Sequence, residues 1–518
     1  MKKQIVKNLA TNYLGNFLGM ALGFFVTPFL IRKLGKEAFG ITVLAESIIA
    51  FFQIFAFSVR ISLSRYATIA LSQKNEKEFV EYLSTGRRIL FAGMILTFLA
   101  GTIVSFLFPT IFRVPLQLVQ ESRFLFFLIT IAFAITIPNI VFWSVLYAQQ
   151  RYDLINISNF GGIILRIICI FFLFSFLPKS FVNIITYGFI YLAMTWGQNF
   201  LVFIWSKFIM PDLRISNKEF TLSKVKEIIS FSGYSSLGNL GMVFHDTVMN
   251  IVVNIFLGPL YNAIYSISIR IPNMLKRLFQ EPSASLTPTF TDLITKKDQI
   301  RTEMFFSMYL KLINLIIFPL GVSLILFSQA IISAWVGKDF YEAAMAMPYF
   351  IIVSLMTIPA SVCSCLITAH GTIKIPTFVS LGIAFLNIGL SCFFGFVLKE
   401  GIIGIGLATL LSNFLGSVIF LPLYTCRIVH IKARIYFIEA MLKPLILAIT
   451  VMGGIFLWFK GNQEFLKISL FQGFICLLSN IGVYILGFLF ILKVTERQQL
   501  KELINSLYLK FMNSSLKR

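Results

Sequence analysis

Runs of about twenty apolar residues recur along the whole chain, broken by short polar stretches. They fall near 9–31, 39–59, 88–107, 124–147, 155–177, 183–205, 228–253, 258–280, 306–327, 345–367, 375–398, 402–424, 442–459 and 468–492. A hydrocarbon core of about 30 Å is crossed by roughly 20 residues of helix. Each run therefore predicts one transmembrane helix, about fourteen in all. Strands of a membrane barrel would show shorter segments of alternating polarity, whereas these runs are continuous. The seventh and eighth are the least apolar. The longest polar breaks, 60–87, 206–227 and 281–305, read as loops on one side, and 108–123 is the longest on the other. None is long enough for a soluble domain.

Composition agrees. The 518 residues are 58% hydrophobic and 13% charged, against roughly 45–50% and about 25% in soluble domains. A net charge of +22 would suit nucleic acid, but its distribution points to membrane topology. With the amino terminus inside and the loops alternating, the inner segments hold about 32 of the 44 Lys and Arg, and the outer loops about ten. Positive charge collects on cytoplasmic loops, so both termini are expected in the cytoplasm, with anionic lipid headgroups as neighbours. The first run follows Lys2, Lys3 and Lys7 as a signal peptide would. It is too long for one and no small-residue cleavage site follows, so it reads as an uncleaved span.

The chain repeats itself. Leu14-Gly15-Asn16 recurs as Leu237-Gly238-Asn239 and Leu34-Gly35 as Leu257-Gly258, both 223 residues on; Ala148 pairs with Ala369, 221 residues on. A repeat of six spans has even parity, so its copies share one orientation, as in transporters built from parallel repeats. The expected fold is an all-α polytopic membrane protein. It comprises a six-helix bundle (1–205), a linker (206–227), a second bundle (228–424), a linker (425–441), an extra helix pair (442–492) and a basic tail (493–518).

Polar residues inside the spans fall on stripes. Glu46, Gln53 and Arg60 are seven apart; Asn239, Asp246, Asn250 and Asn254 follow seven, four and four, with His245 beside them. Ser266, Arg270, Asn273 and Arg277 share a face, as do Asn156, Asn159 and Arg166, and Asn12 and Asn16 with Gly19. Such residues glue membrane helices together or line a cavity, since a charge at mid-span costs roughly 2.5–3.5 kcal/mol. The cavity candidates are Arg60, Arg166, Arg270, Arg277, Asn16, Gln53, Asn239 and Asn273, with the arginines suited to phosphate. Glu46, His245 and Asp246 are candidates for carrying a coupling proton or sodium ion. There is no P-loop, no nucleophile–His–acid arrangement and no zinc spacing. Cys169, Cys363, Cys365, Cys392, Cys426 and Cys476 read as small packing residues. No cofactor is expected.

Asn-Tyr-Leu-Gly-Asn at 12–16, the stretch Pro-Phe-Leu-Ile-Arg-Lys-Leu-Gly-Lys-Glu-Ala-Phe-Gly-Ile from Pro28 to Ile41, and Leu-Gly-Pro-Leu-Tyr-Asn-Ala-Ile-Tyr from Leu257 to Tyr265 resemble the openings of the two halves of Wzx-type polysaccharide flippases. These belong to the multidrug/oligosaccharidyl-lipid/polysaccharide exporter superfamily. The resemblance covers essentially the whole chain and implies a bacterial inner-membrane flippase, not an enzyme. It would move an undecaprenyl-pyrophosphate-linked oligosaccharide to the outer leaflet for O-antigen or capsule by alternating access. It also implies a cationic cavity, carried here by Arg60, Arg166, Arg270 and Arg277, and a lipid-tail groove at 442–492. A glycan polymerase and chain-length machinery are further candidate partners. A lipid II flippase and a multidrug/cation antiporter share the architecture. An integral glycosyltransferase or polymerase would need larger outer loops.

Overall fold

In the computed structural model, residues 2–178, 182–213, 215, 220–283 and 286–461 are described; for 2–10, 12–14, 16–17, 234–246, 281, 455–456 and 458–461 only the backbone is. The described residues form helices α1 (Lys2–Leu34), α2 (Lys36–Ser72), α3 (Glu76–Ile111), α4 (Val119–Ala148), α5 (Tyr152–Phe176), α6 (Ile184–Ile209), α7 (Leu222–Leu257) and α8 (Pro259–Ser283). They continue with α9 (Thr287–Thr295), α10 (Gln299–Leu326), α11 (Ser328–Trp335), α12 (Tyr341–His370), α13 (Lys374–Cys392), α14 (Gly401–Asn413), α15 (Leu421–Ile428) and α16 (Lys443–Gly461). Phe393–Val397, Phe414–Phe420 and Ile435–Leu442 are π-helical and prolong α13, join α14 to α15 and precede α16.

The apolar runs from the first to the thirteenth fall on helical segments, the eleventh and twelfth continuing from α13 and α14 into the π-helical stretches. The run at 468–492, the tail 493–518 and Cys476 lie outside the described residues. Among the described residues, nine segments are long and apolar enough to cross a membrane by length and composition. Helices α6 and α8 lie outside that set, because polar residues such as Gln198 and Asn199 in α6, and Asn262, Ser266 and Arg270 in α8, lower their hydropathy.

The break at 60–87 is not a loop. Helix α2 runs on to Ser72, and α3 starts at Glu76. At 37 residues, α2 is about 55 Å long and outruns the bilayer core. Lys74 turns the chain with φ 56°. The Asn75 side chain then accepts from the Glu78 amide at 3.1 Å, and Glu76 and Glu78 complement the helix start. Helix α9 and the start of α10 likewise fill most of 286–305. Hydropathy registers where a helix leaves lipid; the caps set where it ends.

The repeated Leu-Gly pairs take one backbone shape. Gly35 has φ 87° and ψ 164°; Gly258 has φ 93° and ψ −178°. A side chain is disfavoured at such φ, so glycine gives a one-residue hinge between long helices. In both copies the glycine carbonyl accepts from the fourth residue on, Phe39 or Asn262. Two residues beyond the Ala148 and Ala369 pair, Gln150 after α4 and Gly371 after α12 both have positive φ. The two hinges meet where Asn262 Nδ2 donates to Gly40 O at 3.0 Å. A Cβ on Gly40 would stand 1.9 Å from the Pro259 carbonyl oxygen, so only glycine permits this approach.

The helices group into two compact units, Met1–Arg270 with Ser380–Ile405, and Ile271–Val379 with Gly406–Arg518. In the first, α4 packs on α3 and α6, α2 on α4 and α7, and α5 on α1 and α6. Its core is Leu44, Ile49 and Leu63 of α2 with Leu125, Ile129 and Val145 of α4. In the second, α10 packs on α12 and α16, and α9 and α11 flank α12. Leu96, Phe106, Phe172 and Phe200 are exposed, as lipid-facing residues should be. Serine, threonine and asparagine contacts join the helices: Ser64 with Ser144 at 3.1 Å and Asn199 with Thr136 at 3.1 Å.

Candidate functional site

The stripe on α5 reaches three different helices. Asn156 donates to Thr11 of α1 at 3.1 Å, and Asn159 accepts from Gln198 of α6. These two bonds hold the bundle together. Arg166, two to three turns further along, instead meets a carboxylate. Its Nη2 lies 2.8 Å from Glu46 Oε1 of α2 and also bonds Tyr187 Oη of α6. Tyr187 Oη donates to the same Glu46 oxygen at 2.6 Å. The guanidinium carbon stands 5.2 Å and 4.4 Å from the ring centres of Tyr187 and Tyr191. These tyrosines are four apart on α6, hence on one face. Arg166 is thus clamped by two rings while its charge is met by Glu46.

The pair is not sealed in the core. Side-chain exposure is 29% for Arg166 and 40% for Glu46. Both lie well inside their spans, where facing hydrocarbon would be costly. A fixed guanidinium with the Tyr187 hydroxyl beside it suits an anionic oxygen. Tyrosine faces beside it suit the apolar face of a sugar ring.

The other candidates are spread out. Arg60, about 21 Å from Glu46 along α2, lies with its guanidinium 4.6 Å from the Phe57 ring and 5.3 Å from that of Trp143. Arg270 Nη2 donates to the Gly23 carbonyl of α1 at 3.2 Å. Gln53 and Arg277 are exposed, and Asn273 is half-buried. Asn250 and Asn254 of the α7 stripe are buried. Asn16, Asn239, His245 and Asp246 lie on α1 and α7, and their side chains are outside the described residues. Sequence reading singled out Arg166 and Glu46 separately. It missed Tyr187 and Tyr191, whose signal was two tyrosines at helical spacing in an otherwise lipid-compatible span.

A second charged cluster ties the first turn of α7 to the polar start of α3. Lys224 Nζ donates to Glu78 at 2.5 Å and to Tyr82 Oη at 2.9 Å, and Tyr82 Oη donates to Glu227 at 2.5 Å. Burial disfavours the Lys224 ammonium, but its bonds to Glu78 and Tyr82 outweigh this and raise its pKa. Nearby, Ser62 of α2 donates to the Ile228 carbonyl at 3.0 Å.

Comparison with known proteins places this arrangement. Residues 29–345 match the family described as polysaccharide biosynthesis protein. The chain is 23% identical over 503 residues to the uncharacterized membrane protein EpsK of Bacillus subtilis (strain 168), covering 95% of this chain and 96% of that one. It is 23% identical over 348 residues to a Shigella flexneri protein named for O-antigen transport, covering 65% of this chain and 78% of that one. Among solved structures it resembles the lipid II flippase MurJ in an inward closed conformation, with TM-score 0.68 and 19% identity over 94% of this chain and 99% of that one. It also resembles an inward-facing multidrug transporter of the MATE family, with TM-score 0.67 and 14% identity over 79% of this chain and 94% of that one. The likeness is one of fold, that of multi-pass membrane transporters. The chain belongs to the polysaccharide biosynthesis protein family.

Proposed function

We propose that the chain is a flippase. It moves an undecaprenyl-pyrophosphate-linked oligosaccharide from the cytoplasmic to the outer leaflet of a bacterial inner membrane, by alternating access, with both termini in the cytoplasm. The observation that carries this reading is Arg166, an arginine at mid-span, partly exposed and clamped by Tyr187 and Tyr191. Arg166 takes the pyrophosphate, and the face of Tyr191 adjoins the first sugar. Arg60 with Phe57 and Trp143 repeats the pairing of cation and aromatic ring one span-half away and serves as a second station. The polyprenyl tail stays in lipid, against the segment 442–492. The membership in a polysaccharide biosynthesis family supports a glycan cargo.

A cation antiporter would need a carboxylate offered to its substrate. Glu46 is instead matched to Arg166 at 2.8 Å, which favours an anionic cargo. A coupling proton or sodium ion would be carried by Glu46, His245 or Asp246. Mass spectrometry of undecaprenyl-linked glycans from cells with and without the chain tests the reading. One lipid-linked oligosaccharide should accumulate on the cytoplasmic face when the chain is lost. Unchanged lipid-linked glycans with new sensitivity to cationic dyes would replace this function with drug export.

A further inference from the structure

Glu46 holds the donors that an incoming phosphate would need. Its Oε1 accepts from Arg166 Nη2 at 2.8 Å and from Tyr187 Oη at 2.6 Å. Two donors converging on one anionic oxygen are what a single phosphate oxygen requires. The tyrosine rings at 5.2 Å and 4.4 Å fix the guanidinium, so nothing about Arg166 needs to move for the exchange. Glu46 is the more exposed partner, 40% against 29%, and so the one with room to leave. We infer that Glu46 is an internal competitor of the substrate. Its carboxylate occupies Arg166 and Tyr187 in the empty transporter, and the phosphate of the cargo displaces it. This rests on the reading of Arg166 as the headgroup site.

The physical logic has two sides. An arginine left unmatched at mid-span would cost roughly 2.5–3.5 kcal/mol, and Glu46 removes that cost when no cargo is bound. A pyrophosphate carries more negative charge than a carboxylate and can bind the guanidinium through two oxygens, so it wins the exchange. Once it is bound, Glu46 and the phosphate are like charges within a few ångströms of each other. That repulsion weakens the bound state, and the return of Glu46 expels the cargo. Competition therefore lowers affinity and speeds release.

A positioning role for Glu46 makes the opposite forecast, which decides between them. If Glu46 merely orients Arg166, removing its charge weakens binding. If it competes, Glu46→Gln strengthens binding by about tenfold, the equivalent of one charge-assisted hydrogen bond, and slows turnover. The experiment measures the Kd for undecaprenyl pyrophosphate on the full chain in nanodiscs, for the wild type, Glu46→Gln, Glu46→Ala and Arg166→Ala. Thermal melting of each variant verifies folding. Tighter binding by both Glu46 variants and weaker binding by Arg166→Ala support competition. Equal or weaker binding by the Glu46 variants, with Arg166→Ala also weak, overturns competition and leaves the headgroup site standing. Arg166→Ala binding like the wild type overturns both.

Discussion

Each compact unit contains an ion pair within its helices, and the two are built differently. In the first unit Arg166 and Glu46 lie 2.8 Å apart with 29% and 40% of their side chains exposed. In the second, Lys311 of α10 and Glu439 of the π-helical segment before α16 lie 3.4 Å apart, with exposures of 4% and 22%. The first is flanked by tyrosine rings on an open face. The second is backed by packing: Asn314, one turn from Lys311, donates to the Ala440 carbonyl at 2.7 Å, and Tyr436 is fully buried against Phe306. A charge pair alone does not mark a transport site. Greater exposure and a ring-clamped cation distinguish the Arg166 pair. The Lys311 pair fastens a helix, and the π-helical register brings Glu439 and the Ala440 carbonyl to α10.

The contrast can be broken deliberately. The largest effect on transport is expected from Arg166→Ala, with flipping down by about tenfold or more, the cytoplasmic lipid-linked glycan accumulating, and normal amounts of folded protein in membranes. Lys311→Met should do the reverse. It removes the Glu439 ion pair and destabilises the fold by about 3–5 kcal/mol, seen as a lowered melting temperature in detergent. The double replacement Lys311→Met with Glu439→Leu should recover most of that stability and keep transport per folded molecule. Recovery would not occur if Lys311 carried substrate or a coupling ion.

A smaller effect is expected at the Lys224 cluster. Lys224→Met removes the bonds to Glu78 and Tyr82 and should cost about 1–2 kcal/mol, read as faster proteolysis near the α7 start with transport only partly reduced. The pH dependence has a definite sign. The pKa of Lys224 is raised on folding, so its contribution is complete below its ordinary value and is lost only as pH climbs through the raised one. Transport between pH 6 and 9 should therefore show no step from this residue. The smallest effect should come from Arg60→Lys, which keeps the charge and weakens the stacking on Phe57 and Trp143. A change in transport rate of about twofold to fivefold is expected, measured as the rate of glycan appearance in the outer leaflet.

Much of this was legible in the sequence. Apolar runs placed the helices because lipid demands one kind of side chain over a fixed length. The Leu34-Gly35 and Leu257-Gly258 pairs revealed the repeat because a hinge of positive φ needs glycine. Arg166 and Glu46 were visible as costly charges, but their pairing depends on how α2, α5 and α6 meet, which spacing within one helix cannot encode. The extension of α2 to Ser72 was hidden because polar residues leave lipid without leaving the helix. Lys311 lies within the apolar run 306–327, while its partner Glu439 fell in what read as the linker 425–441. Only the fold shows that this segment is helical and packed on α10.

The central claim is that the chain flips an anionic lipid-linked glycan through the Arg166 site. The direct measurement reconstitutes the purified chain in liposomes with undecaprenyl-pyrophosphate-linked oligosaccharide. It follows protection of the glycan from an externally added glycosidase. The account expects the wild type to equilibrate the lipid between leaflets and Arg166→Ala to leave it where it began. Equal flipping by both would contradict the site. No flipping by a wild type that instead moves cationic dyes would contradict the function.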